Sequence, residues 1–440
     1  MRSREAASWL LAKDWRELLA SRAWWLMLAL IGPLVGLSFT SAVRTYGELS
    51  GAGGTGSGVG EAFAPLVGVW APTFSACELA AVFLLPFVAI RVVAGDRQSG
   101  ALALERQHPF PPWVRIVTKS AVLLGGWLIA SLAPMMAVLL WLSYGGTVYV
   151  PELATVMLGH LLNAGLTIAL AAAAAMVADH PSTSAILTLA VTVGTWVIAF
   201  VAAVQGGIWE QAAQFTPTAM VAEFQHGLIR LDTVLVAIVL MTLGLTVATI
   251  WTRARVPVRR RSLESAGAVL LAVILGFGCA RVHGSWDTSE SRMNSFPVAD
   301  EQALRRIAGP LRIEAHLAPQ DPRRSDLERR ALSKLRRLMP DLEVTYVSES
   351  ATGLFEQARE HYGEVRYTLA DRTATSRATT VEGVLETIYT LSGVTPGPGA
   401  EDAFRGHPLE ADPHGANWMF YGTWPALVLV TALVIGRRES

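Results

Sequence analysis

One charged segment, residues 96–119, separates two apolar stretches and carries the residues best suited to chemistry. We select a candidate set there: Asp96, Arg97, Ser99, Gly100, Glu105, Arg106, Pro109 and Lys119. A partly helical charge pattern that ends in a run of prolines favours a rigid connection. Such a lever can transmit the push of a soluble partner to both flanking stretches. The alternative is an inert connecting loop.

Sequence signatures of catalysis are missing. The chain has no Gly-x-x-x-x-Gly-Lys-Ser/Thr phosphate loop, and the glycine-rich stretch 48–60 has the pattern of a flexible linker. It has no His-Glu-x-x-His and no nucleophile elbow, and its nine histidines lack a second ligand at metal spacing. We therefore expect no catalytic residue, no metal site and no cofactor bound by this chain.

The composition points to a membrane protein. Hydrophobic residues make up 52% of the 440 residues and charged residues only 16%, against roughly 25% in soluble domains. This shortage of charge excludes a disordered chain, and also a nucleic-acid partner, which would require a basic surplus. The 36 basic and 36 acidic residues balance, so no net field steers a partner. Two cysteines, Cys77 and Cys279, are too few for a disulfide framework, and whether they pair is left open.

Eight apolar runs are long enough to cross a bilayer. They are 23–43, 76–95, 118–143, 153–178, 183–204, 233–251, 263–281 and 418–436. Cations concentrate before the first run, in 96–119, in 252–262 and at the C-terminus, whereas the intervening loops are poor in them. The positive-inside rule therefore predicts a multi-pass chain with both termini in the cytoplasm.

The predicted fold class is an α-helical polytopic membrane protein of about eight transmembrane helices with a small α/β extracytoplasmic domain. Its regions are a cytoplasmic interfacial amphipathic helix (1–22), a six-span core (23–252), a basic linker with the seventh span (253–281), the α/β domain (282–417), and the eighth span with a cytoplasmic tail (418–440). The first region has Leu11, Trp15, Leu18 and Leu19 at helical spacing. A simple extension of span one is the alternative there.

The α/β domain is predicted from alternating and helical patterns. Strands are expected at Leu311–Leu317, Leu342–Val347 and Val365–Leu369, and helices at Asp326–Met339, Gly353–Tyr362 and Val381–Leu391. Its extracytoplasmic placement follows from the parity of the spans. Within the core, residues 205–232 are expected to form one or two short outer helices, with Pro217 at a first helical position and Phe224 and Gly227 following.

The charged segment resembles the coupling loop of ABC transporter type-2 permeases. In that family an acidic residue, a Ser-Gly pair, a helical stretch, a proline and a downstream lysine follow one another, and the matching residues here are Asp96, Ser99, Gly100, Pro109 and Lys119. The family usually has Glu at the position of Asp96. The surface helix and six core spans also look like that family.

Two further stretches resemble known families. Residues 214–229, with Pro217, Phe224 and Gly227, are similar to a segment of permeases of the gliding-motility and NosY-like branch. Trp286-Asp287, Asn294-Ser295-Phe296 and Leu311-Arg312-Ile313 are similar, more loosely, to GldG-type auxiliary proteins. The resemblance covers nearly the whole chain as a permease fused to an auxiliary domain.

The resemblance implies a permease subunit of an ATP-driven exporter-like complex in the bacterial inner membrane. It implies a dimer with a second copy or a paralogue, and separate ABC ATPase subunits that bind ATP and Mg and dock on the 96–119 loop. The chain would not be an enzyme, and membrane lipids would surround it. An envelope or cargo protein would meet 282–417. The alternative is a membrane scaffold or mechanotransmission component that presents 282–417 to an envelope partner. An integral-membrane enzyme or an ion-coupled carrier would need more polar residues at one membrane depth.

Overall fold

The computed structural model describes residues 3–51, 63–98, 100–102, 111–205, 208–253, 255–307, 309–339, 341–347, 361–397 and 404–439. The chain forms two compact units. One comprises Met1–Thr195, Met220–Gly284 and Arg405–Ser440, and the other comprises Trp196–Ala219 and Ser285–Phe404.

Helices make up most of the described chain. In chain order they are α1 Ser3–Ala20, α2 Arg22–Gly51, α3 Leu66–Gln98, α4 Pro112–Ser143, α5 Val150–Val177, α6 Pro181–Gln205, α7 Ile208–Ala213, α8 Pro217–Gln225, α9 Leu231–Thr252, α10 Val258–Cys279, α11 Val298–Leu304, α12 322–338, α13 Val381–Ser392 and α14 418–439. The strands are β1 Leu228–Arg230, β2 Ser285–Asp287, β3 Leu311–Ala315, β4 Glu343–Tyr346, β5 Val365–Leu369 and β6 Arg372–Ser376.

Eight helices of the described chain are long and apolar enough to cross a membrane, in agreement with the eight predicted runs. They are α2, α3, α4, α5, α6, α9, α10 and α14. Each exceeds the roughly 20 residues that a bilayer core requires, or equals it. Turns of π-helix occur at the start of α3, over Leu66–Trp70, and at the start of α14, over Trp418–Thr423.

The apolar helices differ in how far they are buried within the chain. Half to two thirds of the most apolar window is buried in α2, α3, α4 and α5, with values of 50–67%. The corresponding values for α6, α9, α10 and α14 are only 6–17%. The first four therefore form the packed centre of the bundle, and the last four leave apolar surface for lipid or another chain. Cys77 and Cys279 are both free thiols.

Glycines allow the last apolar helix to approach the first. A Cβ added at Gly32 would lie 2.1 Å from the Trp424 ring, and one added at Gly36 would lie 2.4 Å from Cβ of Phe420. The Trp424 indole also donates a hydrogen bond to the Leu28 carbonyl at 2.6 Å. Small residues at a helix contact are the usual means of close packing inside a membrane.

The second unit contains a four-stranded sheet in the order β4-β3-β5-β6. β3 runs parallel to β4 and antiparallel to β5, and β5 runs antiparallel to β6. The parallel pair needs a crossover, and α12 lies in that connection. Residues Leu311, Ile313 and Ala315 of β3 are buried in alternation, which shows that one face of the sheet is covered.

That covered face forms the core of the second unit. Ile313 and Tyr367 are cross-strand partners, and they pack with Leu335 of α12 and Ile388 of α13. The strands expected near 311, 342 and 365 and the helix expected at 381 are present. β6 was not predicted, and the helix expected at Gly353–Tyr362 lies almost wholly outside the described residues.

Candidate functional site

A cluster of five charged side chains lies where α1, the end of α3 and the start of α4 meet. It comprises Lys13, Asp14, Glu17, Asp96 and Lys119. Nζ of Lys119 is 2.7 Å from Oδ2 of Asp96, 3.0 Å from Oδ1 of Asp14 and 3.1 Å from Oε2 of Glu17. Nζ of Lys13 is 2.9 Å from Oδ1 of Asp96 and 3.0 Å from Oε1 of Glu17. We call this set the α1 ion cluster.

Helical geometry explains how the sequence assembles the α1 ion cluster. Lys13 and Glu17 are one turn apart on α1, with Asp14 beside them facing the bundle. Asp96 is in the last turn of α3, where the helix dipole disfavours a negative charge. Because the local backbone does not stabilise this carboxylate, the two lysines must do so.

The cluster is largely shielded from water. The exposed fraction of the side chain is 1% for Asp14, 3% for Asp96 and 6% for Lys119, against 22% for Lys13 and 33% for Glu17. Burial raises the pKa of the Asp14 carboxyl, and the attraction of Lys119 offsets this only in part. Oxygens of the three carboxylates lie within 4.8 Å of one another, a spacing that suits a cation, but the lysine ammonium groups already supply positive charge there. The ion pairs of the cluster therefore connect α1, α3 and α4.

Packing around the cluster fixes α1 against α4. Leu10, Asp14 and Leu18 form the buried face of α1, while Leu11 is 39% exposed. A Cβ added at Gly126 of α4 would come within 2.8 Å of Leu18. The buried face is thus rotated from the predicted apolar stripe, because α1 packs on α4 through residues that include the carboxyl group of Asp14.

Arg97 connects the end of α3 to the turn after α5. Its guanidinium donates to the carbonyl oxygens of Ala178 at 2.8 Å and Met176 at 3.3 Å, and to Oδ1 of Asp179 at 2.7 Å. Two of these acceptors are the carbonyls at the end of a helix, which a cation stabilises. Arg97 is therefore engaged within the chain.

Gly100 accounts for part of the Ser-Gly motif in structural terms. It follows the end of α3 and has a φ of +79°, in the left-handed region that glycine adopts without strain. Gly100 therefore suits the position that follows the helix. Of the other predicted residues in the segment, Ser99, Glu105, Arg106 and Pro109 lie outside the described residues.

The predicted short outer helix is present as α8. Pro217 occupies its first turn, and Oγ1 of Thr216 accepts from the backbone N–H of Ala219 at 3.3 Å. Phe224 is fully buried, and its Cβ would lie 2.4 Å from a Cβ added at Gly159 of α5. Gly227 has a φ of +73° and follows the end of α8, as Gly100 follows the end of α3.

A second group of charges surrounds the end of α8. Arg230 donates to Oε1 of Glu223 at 2.8 Å and, through Nε, to Oδ1 of Asp232 at 3.1 Å, and Thr233 donates to Oε2 of Glu223 at 3.0 Å. Burial raises the pKa of Glu223, and Arg230 opposes that shift in part. We call these four residues the α8 ion cluster. Gly159, which α8 contacts, is about 27 Å from the end of α5 at 1.5 Å per residue, so the two clusters are at opposite ends of the bundle.

The structure brings together some predicted site residues and adds others. Asp96 and Lys119 are in direct contact, whereas Pro217, Phe224 and Gly227 belong to the opposite end. Lys13, Asp14 and Glu17 were not predicted as site residues, nor were Glu223 and Arg230. The available signal was a set of charges in α1, which lie outside the apolar stripe that helical spacing predicts there.

Comparison with known proteins returns no match. No family model, no curated protein and no solved structure matches the chain.

Proposed function

We propose that the chain is the transmembrane permease subunit of an ATP-driven, ABC exporter-like complex, and that segment 96–119 is its coupling loop. The observation that carries the proposal is the contact between Asp96 and Lys119, which lie at the two ends of this segment. Because Nζ of Lys119 and Oδ2 of Asp96 join the two ends of the segment at 2.7 Å, a displacement of the segment moves α3 and α4 together. Lys13 and Glu17 extend the same clamp to α1.

The buried pair assigns different roles to the motif residues. Asp96 and Lys119 are positioning residues, because their charges are used within the chain. Contact with an ATPase subunit then falls to the stretch between them, which includes Glu105 and Arg106. ATP and Mg are bound by that separate subunit, and the chain itself catalyses no reaction.

The same proposal also predicts the partners of the chain and its orientation in the membrane. The low burial of α6, α9, α10 and α14 supports a second copy or a paralogue against part of this apolar surface, with lipid on the rest. The excess of Arg and Lys at the α1 end supports a cytoplasmic location for both termini, in a bacterial inner membrane. On this topology residues 282–417 are extracytoplasmic and are available to an envelope or cargo protein.

A scaffold or mechanotransmission component is the second candidate. The observation that favours it is the second unit, which has its own sheet and its own buried core. A membrane anchor that presents this unit to an envelope partner would also need a rigid bundle. It would not need an ATPase at segment 96–119.

The test is purification of the tagged full chain from native membranes in mild detergent, followed by mass spectrometry and an ATPase assay. We expect stoichiometric recovery of a nucleotide-hydrolysing subunit. Glu105→Arg, which reverses one charge between the clamped ends, should abolish recovery. Arg44→Glu is the matched control, because it reverses an exposed charge on α2 at the other end of the bundle.

Two results would contradict the proposal. The wild-type chain could purify without any ATPase, which would favour the scaffold. Alternatively, both charge reversals could reduce recovery equally, which would show that the loss is not specific to the segment. In either case segment 96–119 is not the coupling loop.

A further inference from the structure

A groove opens at the α1 end of the bundle, between the corner that joins α1 to α2 and the last part of α14. Its volume is about 660 Å³. The chain turns at Ser21, whose N–H donates to the Leu18 carbonyl at 3.0 Å. The Trp25 indole donates to the Leu19 carbonyl at 2.6 Å and fixes the corner. These hydrogen bonds hold the corner between α1 and α2, which forms one wall of the groove, in a fixed conformation.

The antiparallel contact of α2 with α14 sets which residues face each other across the groove. Gly36 meets Phe420, and Gly32, four residues earlier in α2, meets Trp424, four residues later in α14. Continuing this register toward the α1 end brings Arg22, ten residues before Gly32, level with Val434, ten residues after Trp424, so Arg437 lies about one helical turn further along α14. Both arginines line the groove, and both are exposed.

Apart from these arginines, the groove is mainly apolar. Its walls include Leu26 and Ala29 from α2, and Leu429, Ala432 and Leu433 from α14. The polar groups of the groove thus concentrate at one end and the hydrocarbon wall extends away from them. That division of polarity matches a lipid molecule, with a charged headgroup and an apolar chain.

The length of the groove also matches a lipid chain. From Val428 to Arg437 the wall covers nine residue steps, or about 13.5 Å at 1.5 Å per residue. One leaflet of a bilayer core is about 15 Å deep, half of the roughly 30 Å total. The groove therefore extends over the hydrocarbon depth of one leaflet, with its two cations at the level of the headgroups.

We propose that this groove binds one anionic phospholipid, with its phosphate between Arg22 and Arg437 and an acyl chain along Leu26, Ala432 and Leu433. Guanidinium groups match phosphate oxygens in geometry and charge. A free phosphate would use the arginines but leave the apolar wall uncovered. On the proposed topology the lipid belongs to the cytoplasmic leaflet. The inference does not depend on an ATPase partner.

The test measures lipid retention on the full chain. The detergent-purified protein is mixed with phosphatidylglycerol or with phosphatidylcholine, and bound lipid per chain is counted by native mass spectrometry. We expect one phosphatidylglycerol per chain and at least tenfold weaker retention of phosphatidylcholine. Arg22→Gln with Arg437→Gln should weaken retention of phosphatidylglycerol roughly 30-fold, because each cation near a membrane surface contributes a factor of about five.

Matched variants separate the site from general surface charge. Arg16→Gln with Arg259→Gln removes two exposed cations from the same end of the bundle, outside the groove, and should leave retention unchanged. Ala432→Phe fills the apolar wall while keeping both arginines, and should displace the lipid. Adding inorganic phosphate should not displace it.

Three results would overturn the proposal. Equal retention of the two lipids would show that the arginines do not recognise a headgroup. Equal loss in both double arginine variants would show that any cation at this end suffices. Displacement by inorganic phosphate would show that the arginines bind a free anion.

Discussion

The two ion clusters of the bundle differ in what they connect. The α1 ion cluster joins residues up to 105 positions apart in the sequence, on three helices, and its central pair is buried. The α8 ion cluster joins residues no more than 10 positions apart, and Arg230 remains 39% exposed. The first cluster therefore maintains tertiary structure, whereas the second stabilises a local turn.

This difference has an energetic basis. A buried charge that loses its partner keeps its desolvation cost, whereas a half-exposed charge regains water. The cluster that connects distant helices should thus be intolerant of single substitutions, and the local cluster tolerant. Four measurements test this contrast.

The largest effect is expected from Lys119→Met. It leaves Asp96 and Asp14 buried without their common cation, so we expect a loss of about 3–5 kcal/mol in unfolding free energy. Denaturant unfolding of the chain in mixed micelles measures it. Lys13→Met, at a side chain that is 22% exposed, is the matched control and should cost much less. Equal losses would mean that the buried position is not special.

A double-mutant cycle sharpens the same point. Asp96→Asn combined with Lys119→Met removes both partners of the 2.7 Å pair. We expect a coupling energy of about 2 kcal/mol, near the upper part of the range for residues in contact. The corresponding cycle of Arg230→Gln with Glu223→Gln should give less than half of that. A larger coupling at Arg230 would reverse the proposed ranking of the clusters.

Arg230→Gln alone should cost only about 1 kcal/mol, because the group is partly solvated and its partners are local. Glu223 and Asp232 can turn toward water when the guanidinium is removed. Unfolding followed by tryptophan fluorescence gives the value. Arg44→Gln, at an exposed site, should be neutral by comparison. A loss of 3 kcal/mol or more would show that Arg230 is as critical as Lys119.

The smallest effect concerns pH and Asp14. Because burial raises its pKa above the unfolded value of about 3.9, the folded state binds this proton more tightly. Its contribution to stability is complete below pH 4 and is lost as pH rises through the folded pKa. Asp14→Asn removes this dependence. The difference in unfolding free energy between variant and wild type, measured by denaturant unfolding, should therefore shift in favour of the variant as the pH rises from 4 to 7. A relative loss on raising the pH would show that Lys119 lowers this pKa instead.

The sequence predicted the helices far better than the contacts between them. Long apolar runs determine a membrane helix locally, and all eight are present. Asp96 and Lys119 were singled out by a motif. Lys13 and Asp14 lie off the predicted apolar stripe of α1 and were not predicted as site residues, because helical spacing indicates which residues share a face but not what that face contacts.

Strand β6, which like β1 and β2 was not predicted, was missed for a similarly local reason. β5 and β6 are joined through Ala370 and Asp371, and Ala370 has a φ of +50°. Short hairpin turns are normally signalled by Asn-Gly or Asp-Gly, which this sequence lacks. The threonine-rich β6 therefore had no turn signal in front of it. Pro217, by contrast, identified the first turn of α8 correctly because its ring fixes φ there.

The contact of Gly32 and Gly36 with Trp424 and Phe420 has a consequence for biosynthesis. The glycine surface of α2, at Gly32 and Gly36, is translated almost 400 residues before the aromatic rings that cover it. At about 5–20 residues per second, it waits roughly 20–80 s for its partner. Until then an insertase, a chaperone or lipid must cover this glycine surface. A ribosome that stops before codon 420 releases a chain in which the surface around Gly32 and Gly36 is uncovered. This exposed surface distinguishes the incomplete chain from a finished one and gives membrane proteases a basis for selecting it.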